Sequence, residues 1–223
     1  LFQLLIWQLS EMNISLLDNI KFLLNSLIIG SLVSIFTVFI AIGLSLSYRG
    51  SAKLRFLISI SSSGYAIPGS VVSAGLLIGF YTLFGSSITL YGIYALLLCL
   101  CFRFMTPAFN YISSSLTNIS SSSEYSLSTQ PRNYYRSFLY FYFPQMRPAI
   151  FLSVLIVFIE SIKEQPATLL LRPVGFDTLS TRIYNYTSEG QWEMAASPSL
   201  LLVFLSLIFV YLINKSFDHN KRY

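Results

Sequence analysis

Charge is what this 223-residue sequence has least of. Asp, Glu, Lys and Arg together make up 10% of it, against about 25% in an ordinary soluble domain. That deficit excludes a disordered chain, a nucleic-acid-binding arm and a soluble enzyme of this size. Histidine occurs once, at position 219. A Ser/His/Asp set or an H-E-x-x-H helix cannot be built around it. The two cysteines, Cys99 and Cys101, are two apart in an apolar run. On a helix they point to different sides, so they read as small apolar residues and not as a disulfide or metal pair. No G-x-x-x-x-G-K-[ST] occurs, so no P-loop holds a nucleotide. No catalysis and no cofactor are expected of this chain itself.

Long charge-free runs fill the space instead. Between Lys21 and Arg49 lie 27 uncharged residues, between Arg55 and Arg103 there are 47, and between Glu193 and Lys215 there are 21. About 20 apolar residues suffice for a helix to cross the hydrocarbon core of a bilayer. The longest run has room for two crossings, with a turn expected near Gly85-Ser86-Ser87. A further apolar stretch, 149–171, is interrupted by Glu160, Lys163 and Glu164. Five spans follow, at about 22–47, 57–83, 88–107, 149–171 and 197–213. Backbone polar groups in lipid must be satisfied internally, and the period-2 pattern of a membrane barrel is missing, so the spans are predicted to be helices. The fold class is an all-α polytopic membrane bundle. Residues 1–21 form an N-terminal outer or interfacial segment and 214–223 a tail, and the opening Leu suggests a partial chain.

The net charge of +5 is a topology signal. Arg49, Lys53 and Arg55, then Arg103, Arg132, Arg136 and Arg147, then Lys215, Lys221 and Arg222 fall on one side of a five-span model. Lys21, Lys163, Arg172 and Arg182 make up the rest. Excess Lys and Arg mark the cytoplasmic side. The N-terminus is therefore expected outside, the C-terminus inside, and the loop at about 108–147 in the cytoplasm. No nucleic-acid partner is expected; the lipid bilayer is.

Within that loop, Ser121 and Glu124 form a capping box that starts a helix, which Pro131 stops. A second short helix is predicted from there to about Phe143, with Pro144 ending it and Pro148 in the first turn of the next span. It is rich in Tyr and Phe. The residues alone leave two readings open: an interfacial aromatic segment, or a surface on which another protein docks.

Glu160, Lys163 and Glu164, at i, i+3 and i+4, share one stripe of a helix. Counted from Pro148 at 1.5 Å per residue, Glu160 lies about 18 Å and Glu164 about 24 Å in, in the outer half of the bilayer. Charges there are costly unless paired or wet. A self-neutralising pair and a polar wall of a translocation path are both compatible with this. Pro166 breaks the helix, which favours the path. The segment 172–193, with Arg172, Asp177, Arg182, Glu189 and Glu193, is expected outside.

The stretch Tyr134–Ile150, YYRSFLYFYFPQMRPAI, resembles the end of the cytoplasmic loop of binding-protein-dependent ABC importer permeases. That loop reads EAA, three residues, Gly, nine residues, Ile, one residue, Leu-Pro. Phe143 takes the Leu slot before Pro144, Phe141 the Ile slot, Pro131 the Gly slot, and Glu124 precedes the EAA slots by one place. Gly64-Tyr65-Ala66-Ile67-Pro68-Gly69 is similar to the start of the family's second span. Lys163 to Pro173 with Phe176 to Arg182, and Glu189 to Pro198, resemble the ferric-iron type, whose pattern is KELPATLLLRP followed by FDTLA. The resemblance implies a permease subunit, one half (the second) of a two-repeat permease, in the bacterial inner membrane. It implies a separate ABC ATPase that binds ATP and couples through Glu124, Pro131, Arg136, Phe138, Pro144, Arg147 and Pro148. It implies a path or outer gate at Glu160, Lys163, Glu164, Pro166 and Arg172. A periplasmic ferric-binding protein would dock at Asp177, Arg182, Glu189 and Glu193, and a second permease half or identical partner would complete the pore. The alternatives are an ABC permease for another solute, such as thiamine or a phosphonate, and a secondary carrier relaying cations through Glu160 and Glu164.

Overall fold

The computed structural model describes residues 1–10, 19–48, 64–85, 88–117, 119 and 134–220. Every regular element among them is helical. In order they are α1 (Phe2–Ser10), α2 (Ile20–Tyr48), α3 (Gly69–Phe84), α4 (Ile88–Thr117), α5 (Tyr134–Ser137), the π-helical stretch π1 (Phe138–Tyr142), α6 (Phe143–Lys163), α7 (Pro166–Leu171), α8 (Leu179–Ser188) and α9 (Ala196–Asn220). Four stretches are long and apolar enough to cross a membrane: Ile20–Ser47, Gly92–Thr117, Phe138–Lys163 and Ala196–Lys215. The helix Gly69–Leu83 is apolar but shorter.

α2, α4 and α6 pack on one another and form the centre of the bundle. The sequence of α4 shows why. Leu96, Leu100, Phe104, Ala108, Ile112 and Leu116 recur every fourth residue and are all buried. Residues four apart share a helix face, so this is one continuous stripe, met by Val33 and Ala41 of α2 and Met146 and Val157 of α6. The opposite faces are apolar as well. Phe39 is 76% exposed, and Ile35 of α2, Ile78 of α3 and Phe204 and Ile208 of α9 are exposed too. Water-soluble monomers rarely show such surface in contiguous belts; hydrocarbon accommodates it.

Three elements depart from the sequence-based expectation. α4 runs to Thr117, ten residues past the expected end of the third span at 107, and passes through Pro107. A proline costs one intrahelical bond, here to the carbonyl of Arg103, and packed neighbours tolerate it in a membrane helix. Between Tyr134 and Lys163 there is helix throughout, where the second short helix was expected to end at Pro144. The reason is π1. The Phe143 N–H reaches back five residues to the Phe138 carbonyl, and Pro144 then falls in the first turn of α6, where its missing N–H matters least. Pro148 lies inside α6. α3 begins at Gly69, after a turn at 64–67 and Pro68. The earlier part of the expected second span, 57–63, lies outside the described residues, as do Ser86 and Ser87 of the expected turn and the Ser121–Glu124 capping box. Gly85 does end α3, with φ 62°.

Candidate translocation, coupling and docking sites

The break after α6 organises the candidate path. Glu164 leaves the helix with ψ 112°. Its carbonyl accepts from Thr168 Oγ1 (2.7 Å) and from Ser180 Oγ (3.3 Å). α7 then runs from Pro166 for six residues and lies against α3 and α4. Ala167, Thr168 and Leu171 bury its inner face. Two glycines make the fit possible. A Cβ on Gly69 would collide with both the Glu164 carboxylate and the Arg103 guanidinium, and one on Gly92 would stand 2.7 Å from the Leu171 carbonyl oxygen.

The three charges of the expected stripe part company here. Lys163 Nζ donates to Glu160 Oε1 at 3.1 Å, and the two side chains are 44% and 35% exposed. Glu164 turns the other way and pairs with Arg103 of α4, the two side chains being 11% and 14% exposed. Arg103 was counted above with the cytoplasmic loop; it stands about halfway along α4 instead. Glu164 is therefore level with the middle of a neighbouring span. Pairing is what makes ions at that depth tolerable. Sequence reasoning missed Arg103 as a partner. The available signal was a cation in an otherwise charge-free helix, together with an acid in need of one.

Beyond α7, Arg172 forms an ion pair with Asp177, both half-buried. Partial burial pulls the Arg172 guanidinium below its ordinary pKa. The Asp177 carbonyl accepts from Asn25 Nδ2 of α2 (2.8 Å), and the Leu179 N–H donates to Ser26 Oγ (2.9 Å). Thr178 and Thr181 close a capping box at the start of α8. Arg182 is half-buried between aromatic rings, 5.0 Å from the Phe22 centroid and 4.2 Å from that of Tyr186, whose hydroxyl accepts from its Nη2 at 2.5 Å. Asp177 and Arg182 are thus engaged within the fold. Glu189 and Glu193 are exposed. Glu193 lines an open cleft of about 410 Å³ with Trp7, Trp192 and Met194.

Of the coupling residues, Glu124 and Pro131 lie outside the described residues. Arg136, Pro144, Arg147 and Pro148 are exposed, and Phe138 is half-buried. The Arg147 guanidinium stands 5.2 Å from the Phe143 centroid, and Phe143 faces Phe138 at 6.1 Å. Met146, in their midst, is fully buried and anchors this end of α6 in the core.

Spans of this length, an apolar perimeter and buried charges answered across helices define an all-helical, multi-pass membrane protein. The comparisons sharpen that class. The chain is 34% identical over 124 residues to the ferric transport system permease protein FbpB of Actinobacillus pleuropneumoniae, 54% of this chain and 18% of that protein. It is 32% identical over 130 residues to the putative ferric transport system permease protein FbpB 1 of Haemophilus influenzae, 57% of this chain and 20% of that one. With Fe(3+)-transport system permease protein FbpB 2 of the same organism it shares 26% identity over 199 residues, 86% of this chain and 38% of that one. The chain thus matches well under half the length of these curated relatives. Among solved structures, a bacterial ABC transporter involved in the import of the acidic polysaccharide alginate superposes with a TM-score of 0.68 at 13% identity, covering 97% of this chain and 82% of that one. The fold is therefore that of an ABC importer permease chain, and the sequence relatives are ferric transport permeases. No protein-family model matches the chain.

Proposed function

We propose that the chain is a membrane-spanning permease unit of an ATP-driven importer of iron(III). The observation that carries this is the coincidence of two independent likenesses: sequence relatives named as ferric transport permeases, one aligned over 199 residues, and the fold of an ABC importer. In this reading the chain lies in a bacterial inner membrane, N-terminus out and C-terminus in. Removing Arg103 from the loop cations leaves nine of the ten Lys and Arg on the inner side, so the charge asymmetry survives. A separate ATPase binds ATP and seats against the 120–147 segment, with Arg136, Pro144, Arg147 and Pro148 exposed to meet it. A second permease half, or a second copy, completes the pore. The path runs past Glu160, Lys163, Glu164, Pro166 and Arg172. A periplasmic ferric-binding protein docks on the outer segment, where Glu189 and Glu193 offer exposed acids and Asp177 and Arg182 hold the surface in shape. Both candidate relay acids, Glu160 and Glu164, are neutralised by a partner cation, which favours an ATP-driven machine over a cation-coupled carrier.

The test is radioactive iron uptake in cells expressing the transporter. Uptake is expected to vanish when the ATPase gene is deleted and to survive a protonophore. Dependence on the ion gradient with no ATPase requirement overturns the reading in favour of the carrier. Uptake of a different solute by the same ATPase-dependent route overturns the iron assignment alone.

A further inference from the structure

Resting on the permease reading, the geometry points to a charge-pair latch: Arg103 and Glu164 hold the re-entrant segment 164–173 shut against α3 and α4, and the segment moves only once that pair parts.

The segment is built as a separable piece. At one end Glu164 and Gln165 interrupt the helix between α6 and α7. At the other, Pro173 leads into a turn in which Gly175 has φ 81°, a left-handed conformation that glycine adopts without strain. α7, only six residues long, lies between. Gly92 seats it under Leu171, where a Cβ would stand 2.7 Å from the Leu171 carbonyl oxygen, and at Gly69 a Cβ would meet the ends of the Glu164 and Arg103 side chains. A slot this tight is bistable: the segment is fully in or it is out, because packed surfaces do not deform by degrees.

The pair is placed to govern that choice. Arg103 and Glu164 come from different elements and meet over the N-terminal residue of α3. α4 is weakened at the same level, since Pro107 has no N–H to offer the Arg103 carbonyl. The guanidinium is not fully satisfied either. Its Nε is buried and has no hydrogen-bond partner among the described residues, as is true of Arg182 Nε. The seat is not filled: a cavity of about 90 Å³ remains where the segment meets α3 and α4, lined by Leu77, Gly92, Leu170, Arg172 and Val174. Leu170 and Val174 of the segment are themselves exposed.

The experiment uses the full chain in liposomes, with Cys99→Ala and Cys101→Ala removing the native thiols. Ala167→Cys places a reporter on the buried face of α7, and Ala95→Cys places a control in the core of α4. A membrane-impermeant maleimide reads both. In the parent both are expected to be unreactive. With R103Q/E164Q, which removes both charges together, the rate at position 167 is expected to rise at least tenfold while position 95 stays protected. Gly69→Ala, which sets a methyl against both ends of the pair without altering a charge, is expected to act in the same direction, and it carries the test if the double variant does not accumulate. An unchanged rate at 167 overturns the latch. So does an equal rise at 95, which means that the bundle has loosened as a whole. The labelling needs neither iron nor nucleotide. Its failure therefore removes the latch and leaves the permease reading standing, whereas uptake that ignores the ATPase removes the permease reading and leaves the labelling result intact.

Discussion

Two acids four positions apart, Glu160 in α6 and Glu164 at its end, form ion pairs that behave as opposites. Glu160 and Lys163 are one turn apart on α6, and both are about 40% exposed. Glu164 abandons that turn and finds Arg103 on another helix, with little of either side chain exposed. The first pair costs the fold nothing to bring together, because the helix already does so, and exposed pairs contribute about 0–1 kcal/mol. The second is an obligation. Once one ion is buried, the other must be there, because an unpaired buried charge costs about 3–5 kcal/mol. Neighbours in sequence thus take different roles according to whether the helix continues or stops.

The sharpest way to break this comparison is to delete one member of the buried pair. Arg103→Ala is expected to destabilise the chain by about 3–5 kcal/mol, read as a lower midpoint in an SDS unfolding titration. Arg103→Met with Glu164→Met together is expected to recover most of that loss, because apolar replacement of both partners removes the obligation. A double variant as weak as the single would mean that the pair contributes more than mutual neutralisation. Next comes the other end of the same segment. Gly92→Ala sets a methyl against the Leu171 carbonyl, where overpacking costs about 1–3 kcal/mol, and the same titration reads it. An unchanged midpoint would show that the slot yields at this end. The smallest effect belongs to the exposed pair. Lys163→Ala is expected to lower stability by less than about 1 kcal/mol. A loss as large as that of Arg103→Ala would erase the distinction between the two pairs.

The sequence conveyed some of this and concealed the rest, for identifiable reasons. α2 and α9 were legible because charge-free runs are local: the expected 22–47 and 197–213 sit inside Ile20–Tyr48 and Ala196–Asn220. The stop before Pro166 was legible because proline acts on its immediate neighbours. Pro144 misled for the same local reason: a wider turn precedes it and sets it in the first turn of α6, which no propensity shows. The Arg103–Glu164 contact joins residues 61 positions apart, so spacing on one helix could not reveal it. The tethers from Asn25 and Ser26 to Asp177 and Leu179 are longer still. In the candidate site, the acids were found by their inconvenience in an apolar run, and Lys163 with them, but the partner of Glu164 needed the fold.

The wide turn Phe138–Tyr142 has one more effect. It amounts to a surplus amino acid in an otherwise regular spiral, and each residue of such a spiral advances the direction of its side chains by about 100°. The backbone of Tyr134–Ser137 is therefore turned relative to the course of an uninterrupted rod. Gain or loss of a single residue there re-aims that end of the rod while the spanning portion stays where it is. The bearing of that end is thus adjustable by the smallest change a gene can make to chain length.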